Sequence, residues 1–121
     1  MTGHKVLVVD DNEDSARLLE LVLAADGHDA RAAYDGTSAV AAAQAFSPDV
    51  VLLDLSLPDF DGFEVARRLR AIPALTGVMI VALTGWSDPA LVERARGLGF
   101  ADVLVKPIDL ATLAQLLARR P

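Results

Sequence analysis

The sequence predicts an α/β fold, a doubly wound five-stranded parallel sheet, in a single domain that comprises residues 1–121. Five short apolar runs alternate with segments of helical periodicity, and the connections between them are short, as in successive βα units. Most of these runs are uninterrupted and rich in β-branched residues, which is typical of strands that helices cover on both faces. The predicted strands are Lys5–Val9, Asp29–Ala33, Val50–Leu53, Val78–Leu83 and Asp102–Val105.

Turn and capping residues mark the first two βα units. Asp14–Ala25 follows the first strand with apolar residues at helical spacing, and Gly27 supplies the left-handed position that ends this helix. Asp29–Ala33 contains few β-branched residues, so we expect this strand at an edge of the sheet. Thr37 is predicted to cap an alanine-rich helix that extends to Phe46.

The third unit begins after a Ser-Pro-Asp break and contains a longer polar loop. Asp61 is followed three residues later by Glu64, which predicts a capping box for a helix that continues through Arg70. Pro73 and Gly77 then separate this helix from the fourth strand. A polar loop, Asp54–Gly62, is predicted between the third strand and this helix.

The last two units repeat the scheme. Asp88-Pro89 is a cap and first-turn pair for a helix to Arg96, and Gly97 and Gly99 are predicted to end that helix. Asp109 is the predicted cap of a final helix with leucines along one side. No repeat, linker or low-complexity segment interrupts this pattern.

The composition limits the possible functions. The chain has a net charge of −6, so it repels nucleic acid, and we expect no direct contact with DNA or RNA. It contains no cysteine, which excludes disulfides, thiol catalysis and cysteine-based zinc sites. No segment has the length of a secretory signal or of a membrane span. These features predict a cytoplasmic protein without membrane contact.

Polar side chains follow four of the predicted strands, at the point where each strand ends. They are Asp10 and Asp11, Asp54, Thr84, and Lys106. Ligands of open parallel sheets bind outside the carboxyl ends of the strands, near the point where the strand order reverses. The sequence therefore predicts one pocket with three carboxylates, a hydroxyl and an ammonium, which suits a divalent cation and a phosphoryl group.

Each carboxylate of this set has a functional and a structural interpretation. Asp10 and Asp11 repel each other unless a cation lies beside them, and carboxylates are typical ligands of Mg²⁺. Alternatively, Asp11 or Asn12 only caps the following helix. Asp54 can act as a nucleophile toward phosphorus and form an aspartyl-phosphate, or it can be an ordinary loop or cap residue.

The two remaining groups have the same ambiguity. Lys106 can form a salt bridge with Asp54 or hold a phosphate oxygen as a point charge, or it can be a solvated lysine at a strand end. Thr84 can donate a hydrogen bond to a phosphoryl oxygen, or it can be an ordinary β-branched residue of a strand. The combination of all four at strand ends favours the functional interpretation.

The whole chain resembles the receiver domain of two-component response regulators. The motifs that carry the resemblance are Val6–Val9 followed by Asp10-Asp11, Asp54 with Pro58 and Gly62 four and eight residues later, Thr84-Gly85, and Lys106-Pro107. The resemblance implies a flavodoxin-like (βα)₅ fold with the strand order 2-1-3-4-5. It also implies a signalling switch that catalyses only its own phosphotransfer and dephosphorylation, without being a conventional enzyme.

The resemblance further implies a role for each residue of the pocket. Asp54 would accept a phosphoryl group from a sensor histidine kinase or a histidine phosphotransfer protein, and an output protein would read the change. The implied ligands of Mg²⁺ are Asp10, Asp11, Asp54 and the backbone carbonyl of Ser56. Lys106 would contact the phosphoryl group, Thr84 would be the switch hydroxyl, and the peptide bond before Pro107 would be cis, which is a low-energy alternative for proline.

One position departs from the family pattern. Many receiver domains have Tyr or Phe three residues before the lysine, and this ring moves inward when the threonine moves. Here Val103 occupies that position. The only tryptophan, Trp86, either anchors a partner or packs on its own helix. His4 and His28 are predicted to be unrelated surface residues.

Three other functional classes compete with the switch. A pseudo-receiver would use the same fold as an interaction module without phosphorylation, and Val103 favours this alternative. An aspartate-dependent phosphohydrolase would need a second carboxylate two residues after the nucleophile, where Ser56 stands. A flavin or dinucleotide domain is disfavoured because no glycine-rich phosphate loop follows the first strand. The sequence leaves open whether the chain acts alone or as part of a larger regulator.

Overall fold

The computed structural model describes residues 3–59, 61–86 and 88–119 and consists of one parallel sheet with helices on both faces. The strands are β1 (Lys5–Val9), β2 (Asp29–Ala33), β3 (Val50–Asp54), β4 (Met79–Thr84) and β5 (Asp102–Val105). The helices are α1 (Glu13–Ala25), α2 (Gly36–Phe46), α3 (Gly62–Arg70), α4 (Pro89–Gly97) and α5 (Leu110–Ala118), with a 3₁₀ turn at Pro73–Leu75. The strand order β2-β1-β3-β4-β5 confirms the expected fold class and the expected edge position of β2.

The continuous apolar runs arise because both faces of the sheet are covered. Val8 and Leu52 pack in the cluster with α1 and α5, whereas Leu7 and Leu53 pack in the cluster with α2, α3 and α4. All four side chains are fully buried. Successive strand residues point to opposite faces, so a strand between two helical layers needs apolar residues at every position.

The helix starts confirm most of the predicted caps and correct one of them. Asp35, rather than Thr37, caps α2, because the Asp35 carboxylate accepts a hydrogen bond from the backbone N–H of Ser38 at 2.7 Å. At the start of α1, Asn12 is the cap and accepts from the N–H of Ser15 at 3.0 Å. Of the two residues considered as a cap for this helix, Asn12 has that role, directly after the carboxylates of Asp10 and Asp11.

Two other helix ends differ in detail from the sequence prediction. Gly97 is the last residue of α4, and Gly99 takes the left-handed conformation beyond it, with φ of 85°. Asp61 caps α3, but the Glu64 carboxylate is engaged by Arg67 and Arg68. Hydrogen bonds from these two arginines lower the pKa of Glu64 to about 2.

In the described part of the chain, no helix combines the length and apolarity that a bilayer crossing requires.

His4 and His28 form a pair, and the prediction of unrelated surface residues is wrong. The backbone N–H of His4 donates to Nδ1 of His28 at 2.9 Å, and the two rings stack with their centroids 5.6 Å apart. The His4 ring also lies 2.9 Å from the carbonyl oxygen of Leu117 through Nε2. The sequence did not reveal this pair because its members lie 24 residues apart and meet only through the β1–β2 pairing.

This pair predicts a pH dependence of stability. Burial lowers the pKa of His28 below its ordinary value of 6.5, the nearby His4 adds to the effect, and Asp26 opposes it. The unfolded chain therefore binds the proton more readily than the folded chain. The contribution of His28 to the free energy of unfolding is complete above pH 6.5 and falls as the pH drops through that value. Thermal unfolding at pH values about one unit on either side of 6.5 should show a decline of a few degrees.

A matched variant separates this effect from other titrations. In His28→Asn, the side-chain oxygen can accept the hydrogen bond from the His4 N–H but does not titrate. We expect its melting temperature to change less between the two pH values than that of the wild type. Equal declines in the two proteins would show that His28 is not responsible.

Candidate functional site

The strand register brings the predicted carboxylates together. In the β1–β3 pairing, Val9 lies opposite Leu53, so Asp10 and Asp54 follow on neighbouring strands at the same level. The sheet order reverses here, because β1 is flanked by β2 on one side and β3 on the other. The pair therefore lies at the topological switch point where ligands of such sheets bind.

Lys106 connects the two carboxylates. Its Nζ donates to Oδ2 of Asp10 at 2.8 Å and to Oδ2 of Asp54 at 3.0 Å. The backbone N–H of Lys106 donates to the carbonyl oxygen of Thr84 at 2.8 Å, which fixes the lysine at the end of β4. The structure thus excludes the interpretation of Lys106 as a merely solvated residue, and its peptide bond to Pro107 is cis, as the resemblance implied.

The other oxygen of each carboxylate accepts a hydrogen bond from the backbone two residues ahead. Asp10 Oδ1 accepts from the N–H of Asn12 at 3.0 Å, and Asp54 Oδ1 accepts from the N–H of Ser56 at 2.8 Å. Asp10 is fully buried and Asp54 is 4% exposed, so these bonds satisfy groups that are removed from water. Both side chains are held in fixed orientations before any ligand arrives.

The surroundings of Asp54 and Lys106 shift their pKa values. Burial raises the pKa of Asp54, although hydrogen bonds from the Ser56 N–H and from Lys106 oppose this rise. Burial acts to lower the pKa of Lys106, but its bonds to Asp10 and Asp54 outweigh that effect and raise it. The lysine therefore stays charged at neutral pH and compensates part of the negative charge in the pocket.

The carboxylates also fit a divalent cation. One oxygen each of Asp10, Asp11 and Asp54 lies within 4.8 Å of the others. Asp11 is exposed while the other two are buried, so this group has one open side toward solvent. Three carboxylates against one ammonium leave an excess of negative charge, and hard oxygen ligands of this kind are those that Mg²⁺ prefers.

Thr84 lies at the end of β4, but its hydroxyl is engaged by its own loop. Thr84 Oγ1 donates to the carbonyl oxygen of Trp86 at 2.6 Å and accepts from the N–H of Trp86 at 3.2 Å. Trp86 is 74% exposed, so the interpretation that it packs on its own helix is wrong. Trp86 and Thr84 border an open cavity of about 400 Å³ that Phe63 and Arg94 also line.

Val103 lies three residues before Lys106, where the family pattern has an aromatic ring. It is half-buried and packs against the cluster of α2, α3 and α4. Its partner in the β4–β5 pairing is Ala82, so two small side chains meet at this point of the sheet. The ring movement that the resemblance implies for this position therefore has no counterpart at residue 103.

The loop after β3 closes on itself at Gly62. Its N–H donates to the carbonyl oxygen of Leu55 at 3.1 Å. A Cβ at this glycine would lie 2.8 Å from the carbonyl oxygen of Asp54 and 2.8 Å from the Cα of Leu55. These are backbone atoms next to the Asp54 carboxylate, so they cannot move without displacing it.

Gly62→Ala is therefore expected to destabilise the protein by about 2 kcal/mol, the usual cost of an added methyl in a tightly packed site. Gly97→Ala is the matched control, because a Cβ at Gly97 meets nothing within 4 Å and alanine favours the helix. Urea unfolding of both variants measures the difference. A Gly62 variant as stable as Gly97→Ala would contradict the close approach.

One residue with several contacts near the site escaped the sequence analysis. The Asp59 carboxylate accepts hydrogen bonds from the N-terminus of α2, more than 20 residues earlier in the chain. No local pattern signals such a contact, because a carboxylate in a polar loop is common and its partner depends on the tertiary fold. Asp59 therefore became visible only in the structure.

Known proteins are similar to this chain in sequence and in fold. The sequence profile described as the response regulator receiver domain matches residues 6–118. The chain is 43% identical to the response regulator PleD of Caulobacter vibrioides over 107 residues, which are 87% of this chain and 23% of that protein. It is 42% identical to the DNA-binding response regulator MtrA of Mycobacterium tuberculosis over 104 residues, 86% of this chain and 44% of that protein. The chain thus spans less than half the length of these relatives.

Solved structures agree with the same comparison. The chemotaxis response regulator CheY4 of Vibrio cholerae superimposes with a TM-score of 0.89 at 31% identity, over 98% of both chains. A two-component response regulator from Clostridium difficile superimposes with a TM-score of 0.87 at 26% identity, over 99% of this chain and 98% of that one. In both comparisons the likeness extends over nearly the whole chain.

Proposed function

The chain belongs to the response regulator receiver domain family, and from this premise we propose that it is a phosphorylation-dependent signalling switch with Asp54 as the acceptor. The observation that carries the proposal is the buried Asp54 carboxylate, held by Lys106 and the Ser56 N–H beside Asp10 and Asp11. A nucleophile, a cation site and a phosphate-binding ammonium are thus within reach of one another. The phosphoryl donor in this proposal is a sensor histidine kinase or a histidine phosphotransfer protein.

The proposed reaction is the transfer of a phosphoryl group from a phosphohistidine to Asp54. A carboxylate oxygen attacks phosphorus, the P–N bond breaks, and the electron pair of that bond stays with the leaving imidazole nitrogen. Mg²⁺, when bound by Asp10, Asp11, Asp54 and the Ser56 carbonyl, would supply charge compensation for the incoming phosphoryl group. Lys106 already lies 3.0 Å from Asp54 Oδ2, so its ammonium can reach an oxygen of the transferred group.

The proposed switch begins at Thr84. Its hydroxyl can donate only one hydrogen bond, which now goes to the carbonyl oxygen of Trp86 at 2.6 Å. A new bond to a phosphoryl oxygen would release that carbonyl and free the segment after β4. Because Val103 has no ring to follow the threonine, we infer that the change reaches partner proteins through the exposed segment around Trp86.

The alternative is a pseudo-receiver that binds partners without phosphorylation, and Val103 is the observation that favours it. A small phosphodonor such as acetyl phosphate, together with Mg²⁺, distinguishes the two functions. We expect intact-protein mass spectrometry to show a gain of one phosphoryl group per chain. A folded protein that gains no mass under these conditions would contradict the switch and support the interaction module.

The wider setting is also part of the proposal. We place the protein in the cytoplasm, where it receives phosphoryl groups and acts on an output protein, without direct contact to nucleic acid or membrane. The MtrA relatives are named DNA-binding proteins, but the matched region is 44% of the MtrA chain. The acidic net charge of −6 supports the absence of DNA contact by this chain.

Metal binding should depend on the exposed carboxylate of the pocket. Asp11→Ala removes one of three clustered carboxylates without disturbing the bonds of Lys106 to Asp10 and Asp54. We expect its affinity for Mg²⁺, measured by isothermal titration calorimetry, to fall by about tenfold or more. Asp14→Ala is the control, since this carboxylate lies on the first turn of α1. Equal affinities of Asp11→Ala and the wild type would make the metal assignment wrong.

A further inference from the structure

Asp59 connects the loop after β3 to a helix from a distant part of the sequence. Its Oδ1 accepts from the backbone N–H of Gly36 at 2.8 Å, and its Oδ2 accepts from the N–H and the hydroxyl of Thr37, both at 2.9 Å. The partners are 22 and 23 residues away along the chain. This exposed carboxylate thus accepts three hydrogen bonds from the same helix start, and these bonds form a tether between two separate segments.

Two carboxylates divide the free N–H groups at the start of α2. Asp35, the N-cap residue directly before α2, accepts from the N–H of Ser38. Asp59 accepts from the N–H groups of Gly36 and Thr37. The first N–H groups of a helix lack partners within the helix, and its positive end attracts negative charge. Asp59 therefore completes the capping of α2 from a distant loop. Its N–H partners differ from the partner of the N-cap Asp35.

The tethered loop is the one that carries Ser56. Its first part is held by the Ser56 N–H, which donates to Asp54, and its last part by the Gly62 N–H, which donates to Leu55. Of the described residues between these points, Ser56, Pro58 and Asp59 are exposed and Leu57 is half-buried. Leu57 packs against the core cluster, and the bonds of Asp59 add a polar contact that attaches the middle of this loop to the start of α2.

We propose that Asp59 is a positioning residue for the cation site. By attaching the loop to the N-terminus of α2, it would hold the segment that carries the Ser56 carbonyl in place, without itself touching the metal. This inference rests on the proposed function, which makes the Ser56 carbonyl a ligand of Mg²⁺. Outer contacts that orient a ligand commonly affect metal affinity as well as local stability.

The test compares two variants that remove a carboxylate from the same helix start. Asp59→Ala removes the tether. Asp35→Ala removes the N-cap carboxylate of α2 but leaves the tether in place. Both are expected to lower the melting temperature, because both leave N–H groups of α2 without their partners. Only Asp59→Ala is expected to weaken Mg²⁺ binding by calorimetry, by about tenfold, whereas Asp35→Ala stays within about twofold of the wild type.

A second measurement separates loop positioning from loss of the fold. Phosphorylation of Asp59→Ala by acetyl phosphate should be slow at low Mg²⁺ and should recover as Mg²⁺ is raised, since the remaining ligands are intact. Asp59→Asn, which retains one acceptor oxygen, should lie between the wild type and Asp59→Ala in Mg²⁺ affinity. This graded order is not expected if Asp59 only stabilises α2.

The outcomes distinguish the inference from the function on which it rests. If the wild type binds Mg²⁺ and Asp59→Ala binds it equally well, the positioning role is wrong and the switch is unaffected. If Asp35→Ala loses as much affinity as Asp59→Ala, helix stability rather than the tether is responsible, and the inference is overturned. If the wild type itself does not bind Mg²⁺, the proposed function loses its cation site and the role of Asp59 falls with it.

Discussion

Asp54→Asn should reduce the gain of one phosphoryl group per chain to none. The asparagine amide has nearly the same shape as the carboxylate but lacks the negative, nucleophilic oxygen that attacks phosphorus. Its oxygen can still accept the hydrogen bond from the Ser56 N–H that holds the side chain at 2.8 Å in the wild type. Because burial raises the pKa of Asp54, a neutral group is tolerated here, and we expect the metal-free variant to fold at least as stably as the wild type.

The matched control lies at the other end of the same strand. Asp49 directly precedes β3, and its carboxylate accepts from the backbone N–H of Lys5 at 2.9 Å. Asp49→Asn makes the same chemical change outside the pocket, so it should be phosphorylated like the wild type. Full labelling of Asp54→Asn, confirmed by peptide mapping of the modified residue, would show that the acceptor is elsewhere.

A partially labelled Asp54→Asn would also be informative about the pocket. Asp10 and Asp11 are the remaining carboxylates of the cluster, and one of their oxygens lies within 4.8 Å of Asp54. Mapping the phosphate to either of them would mean that the pocket selects its acceptor by proximity to the cation. Our assignment requires instead that Asp54→Asn carry no phosphate and that the wild type carry it on Asp54 alone.

The elements of the fold were predictable because they depend on local patterns. A strand such as β3, buried on both faces, must be apolar at each position, so its run Val50–Leu53 is visible without any tertiary information. The clustering of Asp10 and Asp54 was predictable for a related reason. Parallel strands end at the same edge of the sheet, so residues at strand ends become neighbours even though 44 residues separate them in sequence.

Several contacts that escaped prediction join distant segments through the tertiary fold. Thr37 looked like a helix cap because its hydroxyl suits that role, but that hydroxyl donates to Asp59 while Asp35 caps the helix. Similarly, His4 and His28 became a stacked pair only through the pairing of their strands. Sequence patterns describe which groups need partners, whereas register and loop paths decide which partners they find.

The same distinction applies within the site. The sequence indicated that Lys106 could pair with Asp54, but not that Asp10 would share the same ammonium at 2.8 Å. This sharing makes the lysine the central cation of the pocket in the absence of metal. It also means that its removal affects stability and chemistry together, which provides the second large effect that we expect.

Lys106→Met should destabilise the metal-free protein by about 2 kcal/mol and make its stability depend strongly on Mg²⁺. The substitution leaves the carboxylates of Asp10 and Asp54 buried without their cation, and an unpaired buried charge is costly. The loss is smaller than for a fully buried pair because the lysine side chain is 29% exposed. A divalent cation beside Asp10, Asp11 and Asp54 would compensate the same charges, so Mg²⁺ should restore most of the lost free energy of unfolding.

Lys5→Met is the matched control, since Lys5 and Lys106 are the two lysines of the chain. Lys5 is exposed and lies outside the pocket, with its ammonium 4.9 Å from the ring centroid of Phe46. Urea unfolding of both variants, with and without millimolar Mg²⁺, measures the coupling. We expect a larger stabilisation by Mg²⁺ for Lys106→Met than for either the wild type or Lys5→Met, because the lysine and the metal compensate the same carboxylates. Equal stabilisation in all three proteins would mean that Lys106 and the cation act on different groups, and the pocket would then not be the site at which Mg²⁺ binds.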